Sequence, residues 1–255
     1  MANLPLISVV VPSYNQAAFL PETLDSIFRQ AYPRLEVVVM DGNSTDGSVD
    51  IIQSHADRLK FWRSEPDSGQ AEAINAGMRH CSGDLVAWLN SDDFYYGDAL
   101  WTVARAFLAY PNCGLYVGNG LRYDQKSGVF TPFCRHHVAI SRKALREGLD
   151  YILQPSTFFL RSAWEEAGGL NSNLHYCMDW DILLRITERH PAVGINEFLA
   201  VSREYGETKT SMGRLRRAVE ICQMIQSHTQ REVTPGTLYY LFETLLDLTR
   251  EGFPP

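Results

Sequence analysis

The chain has 255 residues, 45% hydrophobic and 21% charged, with 30 acidic against 23 basic side chains and a formal net charge of −7. That length suits one large domain, or a core plus a small appendage. The composition argues against a disordered chain, and the acidic balance against a generic nucleic-acid surface.

The five cysteines are scattered, odd in number and free of any C-x-x-C pair. They read as buried thiols of a reducing compartment, not as a disulfide framework or a zinc site. No apolar run approaches the ~20 residues of a membrane span. The N-terminal "MANLPLISVVVPSYN" runs straight into a strand and does not read as a signal peptide.

In chain order, Leu6 to Val11 is a short β-branched run that stops at Pro12. Its composition suits a strand buried on both faces. Residues 17–30 carry Phe19, Leu20, Leu24, Ile27 and Phe28 at helical spacing. Leu35 to Met40 is a second buried run, ending in Asp41-Gly42. Ser44, Thr45 and Asp46 are capping candidates for the helix that follows. "LKFW" at 59–62 reads as a third strand and residues 69–81 as a helix. "LVAWL" at 85–89 is a fourth strand, running into Asn90-Ser91-Asp92-Asp93, and a helix covers about 97–110.

Strands alternating with helices imply a parallel sheet with right-handed crossovers, whose ligands sit beyond the carboxyl ends of the strands. The loops at those ends hold Pro12-Ser13-Tyr14-Asn15, Asp41-Gly42-Asn43, Glu65-Pro66-Asp67 and Asn90 to Asp93. Farther on, "CGLYVGNGLRYDQKSGVF" reads as a hairpin turning at "QKSG". Residues 179–189 read as an amphipathic helix, "FLAVSREYG" as the last strand-like segment, and 212–229 and 234–250 as two terminal helices.

Asp92 and Asp93 are adjacent carboxylates directly after a buried strand, a costly arrangement that a hard divalent cation relieves. A helix cap is the plainer use of a lone Asp pair, but here three other polar loops share the same sheet edge. Asp41 suits a ligand contact and Asp46 a cap. Asp179 and Asp181 lie two apart near a helix start and point in different directions. Asp181 with Arg185 makes an i,i+4 pair. Gly118-Asn119-Gly120 lacks the third glycine of a dinucleotide fingerprint, and no Walker A or G-x-S-x-G occurs.

Three strings, "ISVVVPSYNQAAFLPETLDSIFRQAYPRLEVVVMDGNSTDGS", "DSGQAEAINAGMRHCSGDLVAWLNSDD" and "MDWDILLR", resemble family 2 glycosyltransferases over about residues 5–205. The resemblance implies an α/β fold of GT-A type, with a Rossmann-like, mostly parallel sheet flanked by helices. It places the transferase domain at 1–210 and a C-terminal helical extension at 211–255. It implies an inverting enzyme that uses a nucleotide-diphosphate sugar, a UDP-sugar first, with Mg²⁺ or Mn²⁺.

By the same resemblance, Pro12, Ser13, Tyr14, Asn15, Asp41, Asp67, Asn75, Ser91 and Asp92 contact the nucleotide. Asp93, with Asp92, holds the metal, and Asp179 is the general base, ahead of Asp181. Asn90 stands where the family's first D-x-D aspartate is expected, and Met178 where its acidic pair often has Glu. The acceptor would be a glycan or a lipid-linked saccharide. Gln154, His175 and Trp180 are candidates for the acceptor side, and Lys209 for the diphosphate.

Leu238, Leu241, Phe242 and Leu245 share a helix face that suits core packing or a homodimer. A lipid-linked acceptor would suit peripheral contact at the inner face of a membrane. The expected location is cytoplasmic. The rival readings are a nucleotidyltransferase, disfavoured because "PSYNQAAF" lacks a glycine-rich basic loop, and a non-catalytic nucleotide-sugar-binding module, which Asn90 and Met178 favour.

Overall fold

The structure, a computed structural model, describes residues 4–134, 140–149, 151–206 and 209–251. It begins with β1 (Ile7–Ser13), α1 (Leu20–Phe28), β2 (Leu35–Asp41), α2 (Ser48–Ser54), β3 (Phe61–Ser64), α3 (Gln70–Met78) and β4 (Leu85–Trp88). The four strands are parallel, in the spatial order β3-β2-β1-β4. β1 and β4 bury every residue, as continuous apolar runs in a sheet covered on both faces must.

β5 (Phe94–Tyr95) and α4 (Ala99–Ala109) follow, then the hairpin of β6 (Leu115–Asp124) and β7 (Val129–Pro132), which turns at "QKSG". The rest comprises α5 (Arg142–Arg146), β8 (Thr157–Leu160), α6 (Arg161–Ala167), α7 (Met178–Arg189), β9 (Ala192–Glu204), α8 (Lys209–Thr229) and α9 (Pro235–Glu251). Beyond β4 the sheet is mixed. β8 runs antiparallel to β4, β6 antiparallel to β8, β9 parallel to β6, and β5 antiparallel to β9.

Two apolar layers flank the sheet, and the side-chain alternation of β1 feeds both. Val9 and Val11 pack with Leu24, Ile27 and Ile52 on one face, while Val10 packs with Ile74, Trp88 and Phe159 on the other. Trp88 stacks on Phe159 with ring centroids 5.5 Å apart and meets Trp164 edge-on. The glycines of "VGNG" serve close packing. Pairing of β6 with β9 shifts register there, and a Cβ on Gly118 would fall 2.2 Å from Leu199 Cγ.

The C-terminal helices join this core. Ala218, Ile221, Met224 and Ile225 of α8 are buried, and the last three belong to the layer that holds Val10 and Trp88. α9 behaves otherwise. Leu238, Phe242 and Leu245, expected to pack on a core or a partner, are 57%, 58% and 51% exposed in this chain. Among the described residues no helix is long and apolar enough to cross a membrane.

A buried ion pair ties α7 to α8. Asp181 is 5% exposed and accepts from Arg185 Nε (2.9 Å), Arg185 Nη2 (2.6 Å) and His228 Nε2 (2.8 Å). Burial raises the Asp181 carboxyl, but the bonds from His228 and Arg185 outweigh it and hold it below its ordinary 3.8. Removing the carboxylate leaves the Arg185 guanidinium uncompensated and takes from His228 its hydrogen-bond partner. The cost falls below that of a fully buried pair, because Arg185 and His228 keep part of their surface in water. Asp181→Ala should lose about 2–3 kcal/mol in urea melts at pH 7. A carboxyl lowered in the folded state contributes stability above its unfolded pKa and loses it as pH falls through the folded value. The gap between wild type and variant should therefore hold above pH ~4 and close below it.

Candidate active site

A cleft of about 1190 Å³ opens at the carboxyl ends of the parallel strands. Pro12, Ser13 and Tyr14 line it from the end of β1, Gly42 and Asn43 follow β2, Pro66 and Asp67 follow β3, and Asn90 to Asp93 follow β4. Tyr14 is 64% exposed. It and Asp67 converge on Gly42, where a Cβ would meet Asp67 Oδ2 at 3.0 Å and Tyr14 Cδ2 at 3.2 Å. Ser13 and Gln16 line this cleft, but Ser13 Oγ and Gln16 Oε1 are buried beneath its surface, with no hydrogen-bond partner among the described residues.

Three residues expected to touch a nucleotide brace the loops around the cleft. Asn15, in the left-handed region at φ 50°, donates its backbone N–H to Ser44 Oγ (2.8 Å) and accepts from Thr45 N (2.9 Å). Asp41 is 3% exposed and accepts from Ser44 N (2.9 Å), Ser44 Oγ (2.5 Å) and Ser64 Oγ (2.7 Å). Asn75 exchanges two hydrogen bonds with the backbone of Leu170, far along the chain. None of the three lines the cleft. Asp46 stands one residue before Gly47, the N-cap of α2, and accepts from Ser48 N and from Ala17 N, so it ties the first two loops together.

The loop after β4 carries the strongest electrostatics. Asp93 is 3% exposed. Its Oδ1 accepts from the backbone N–H of Arg203 (3.0 Å) and its Oδ2 from Asn90 Nδ2 (3.1 Å). Asp92 is half-buried, and its Oδ2 accepts from Tyr205 OH (2.9 Å). Burial pushes the Asp93 carboxyl up to about 8, and the charge of Asp92 adds to it. Burial raises Asp92 as well. Thr23 Oγ1 donates to the backbone carbonyls of Ser91 and Asp93, which fixes the turn. Asn90 is a hub: its Oδ1 accepts from Gln70 Nε2 (2.7 Å), and its Nδ2 also reaches Gln154 Oε1 (3.4 Å). Gln154, expected toward an acceptor, lines the cleft but spends its own amide N–H on Trp88 O (3.0 Å).

The opposite wall comes from residues 175–183 and α8. His175, Tyr176, Asp179, Trp180, Arg217 and Ile221 all line the cleft. Asp179, in the first turn of α7, accepts from Trp180 N (2.9 Å). Trp180 is 5% exposed, its indole N–H bonds Leu145 O, and its ring meets Tyr240 edge-on. It is therefore a buried wall, not an open stacking surface. Asp181 is absent from the cleft lining and held by Arg185 and His228. Lys209 opens α8, and its side chain lies outside the described residues.

Arg203, Tyr205 and Gln16 escaped the sequence reading. Arg203 is 6% exposed, and its guanidinium donates to Asp92 O (3.1 Å), Gln125 Oε1 (2.5 Å) and Glu22 Oε2. It also lies over the rings of Phe19, Phe94 and Tyr123, at 4.9, 5.3 and 5.4 Å. Burial and the nearby Asp92 raise the Tyr205 hydroxyl above its ordinary range, so it remains a donor. The available signal was the run "SREYG" after an apolar strand, where an arginine and a tyrosine sit at one strand end.

Known proteins share this architecture. A glycosyltransferase of Rickettsia felis is 26% identical over 245 residues, covering 90% of this chain, which spans only 39% of that relative's length. The S. aureus TarS 1–349 structure in complex with UDP-GlcNAc superposes with a TM-score of 0.69 at 17% identity, covering 96% of this chain and 72% of that one. The mannosyltransferase PcManGT from Pyrobaculum calidifontis, in complex with GDP-Man and Mn²⁺, gives 0.66 at 23% identity, covering all of this chain and 78% of that one. The fold is thus that of these glycosyltransferases. A profile described as glycosyl transferase family 2 matches residues 8–164, more than half the chain, and with the cleft and its strand-end loops in place the chain belongs to that family.

Proposed function

We propose that this glycosyltransferase is a metal-assisted, inverting enzyme. It would move a sugar from a nucleoside-diphosphate donor, a UDP-sugar first, to a hydroxyl of a glycan or lipid-linked acceptor, with Asp179 as general base. The observation that carries this reading is the division of carboxylates in one cleft: Asp92 and Asp93 on the strand-end wall, Asp179 on the α7 wall. Inversion needs that separation, because the acceptor attacks the sugar carbon from the side opposite the departing diphosphate. TarS with UDP-GlcNAc and PcManGT with GDP-Man support the donor class.

Asp92 and Asp93 suit a divalent cation. Their carboxyls are raised by burial, and for Asp93 also by its neighbour, so a dication would favour their ionised forms. Among the described residues no group of three or more His, Cys, Asp or Glu could hold a metal alone. Mg²⁺ and Mn²⁺ manage with one or two carboxylates when diphosphate oxygens and water complete the shell. Asp92 and Asp93 would hold the ion, which would stabilise charge on the leaving diphosphate.

The protein's own groups do the rest. The exposed face of Tyr14 and the neighbouring Asp67 offer stacking and polar contact to the base. An acceptor hydroxyl is a poor nucleophile at neutral pH, and Asp179 would take its proton as the new bond forms.

Two outcomes test this. Asp179→Asn should cut nucleoside diphosphate release from UDP-GlcNAc or GDP-mannose, with a panel of saccharide acceptors, by about 10²–10⁴-fold in kcat while nucleotide affinity holds. A loss of affinity with kcat intact would contradict the assignment. Asn90→Asp removes the amide that donates to Asp93 and adds a third carboxylate. It should lower the stability of the metal-free protein by about 1–2 kcal/mol, with the deficit restored by saturating Mn²⁺, in thermal melts with Mn²⁺ and with EDTA.

A further inference from the structure

The N-cap residue of α7, Cys177, makes no side-chain cap hydrogen bond. A carboxylate from another helix holds the backbone that leads into α7. Glu220, on α8, accepts from the backbone N–H groups of His175 (2.9 Å), Tyr176 (2.5 Å) and Cys177 (3.0 Å), and from Cys177 Sγ (3.3 Å). An anion is favoured at a helix N-terminus, where backbone donors converge. Burial opposes the charge on Glu220, but these bonds outweigh it and hold the carboxyl below its ordinary range.

α8 grips the same short stretch a second time. His228, two turns beyond Glu220, holds Asp181. Asp179 therefore lies between two fastenings, one at residues 175–177 and one at residue 181. α8 is itself seated in the core by Ile221, Met224 and Ile225, so both fastenings refer the start of α7 to the sheet. Gly213 belongs to the same joint: a Cβ there would fall 2.7 Å from the Tyr176 ring.

We propose that Glu220 is a positioning residue for the transfer reaction, fixing residues 175–177 and the first turn of α7 and thereby setting where Asp179 stands toward the acceptor hydroxyl. This rests on the reading of Asp179 as the base. Glu220 acts through the backbone it holds. On this account α8 is part of the catalytic apparatus, which a helical extension need not be.

The expected effect follows from the geometric demand of proton transfer, where a displacement of about 1 Å costs up to ~10²-fold. The test compares wild type, Asp179→Asn, Glu220→Ala and Glu220→Gln. Nucleoside diphosphate release from UDP-GlcNAc and GDP-mannose gives kcat and donor KM, titration gives UDP and GDP affinity, and melting gives Tm. Glu220→Ala should lose about 10- to 100-fold in kcat, with donor KM and nucleotide affinity changed by less than about twofold. Glu220→Gln keeps one acceptor oxygen for the Tyr176 and Cys177 N–H groups and should recover part of that loss.

A Glu220→Ala protein that melts lower but keeps kcat overturns the proposal, as does one that loses kcat and nucleotide affinity together. If the Ala variant does not fold, the Gln variant decides. A kcat between those of wild type and Asp179→Asn at unchanged donor KM supports positioning, and wild-type kcat refutes it. Wild type without release overturns the donor reading instead, and Asp179→Asn as fast as wild type overturns the assignment of the base.

Discussion

Two neighbouring carboxylates at the end of a buried strand set the terms for the rest of this molecule. Buried side by side, two carboxyls resist ionising together, and burial with the neighbouring Asp92 raises Asp93. Asp93 carries this burden at 3% exposure. The fold meets it with directed donors: the Arg203 backbone and Asn90 on Asp93, and the Tyr205 hydroxyl on Asp92. Two of those donors sit at the end of β9 or just beyond it, more than a hundred residues from the pair they serve. The parallel half of the sheet can present the aspartates, but it cannot satisfy them alone.

That dependence explains the mixed half of the sheet. β9 returns beside β6 and pairs with β5, which places Arg203 against the loop after β4. The guanidinium is sealed among three aromatic rings, Gln125 and Glu22, so it serves as a fixed post, not a mobile cation for a ligand. α7 and α8 then close the cleft from the other side. The donor-side loops are shaped by short-range bonds such as Asp41 to Ser44, whereas the Asp179 wall is held by contacts between helices distant in sequence.

The sequence shows the first half well. Each buried strand is a short, mostly apolar run, each helix carries an apolar face, and the polar loops fall where a parallel sheet puts its ligands. The second half is harder to read for a physical reason. β8 is a threonine and three apolar residues running straight into α6, a pattern that periodicity cannot assign to a strand or a helix. Within the site, residue type marks Asp92, Asp93 and Asp179, but not which carboxylates face the cavity. In the chain Asp41 suits a ligand contact and Asp181 is the second candidate for the base; in the fold both are fastened internally, because Ser64 and His228 arrive from elsewhere to bond them. Glu220 gives no local signal at all. It sits on an ordinary amphipathic helix, and its meaning comes from the backbone that leads into another.

The most direct test of the account is calorimetric titration of UDP, with GDP alongside, into wild type and Asp92→Asn, in Mn²⁺ and in EDTA. If the paired carboxylates hold a metal-bound nucleoside diphosphate, one nucleotide binds only with Mn²⁺, and the variant weakens that binding by at least about tenfold, or ~1.4 kcal/mol. Equal affinity in EDTA, or an Asp92→Asn protein that binds as wild type does, would contradict it.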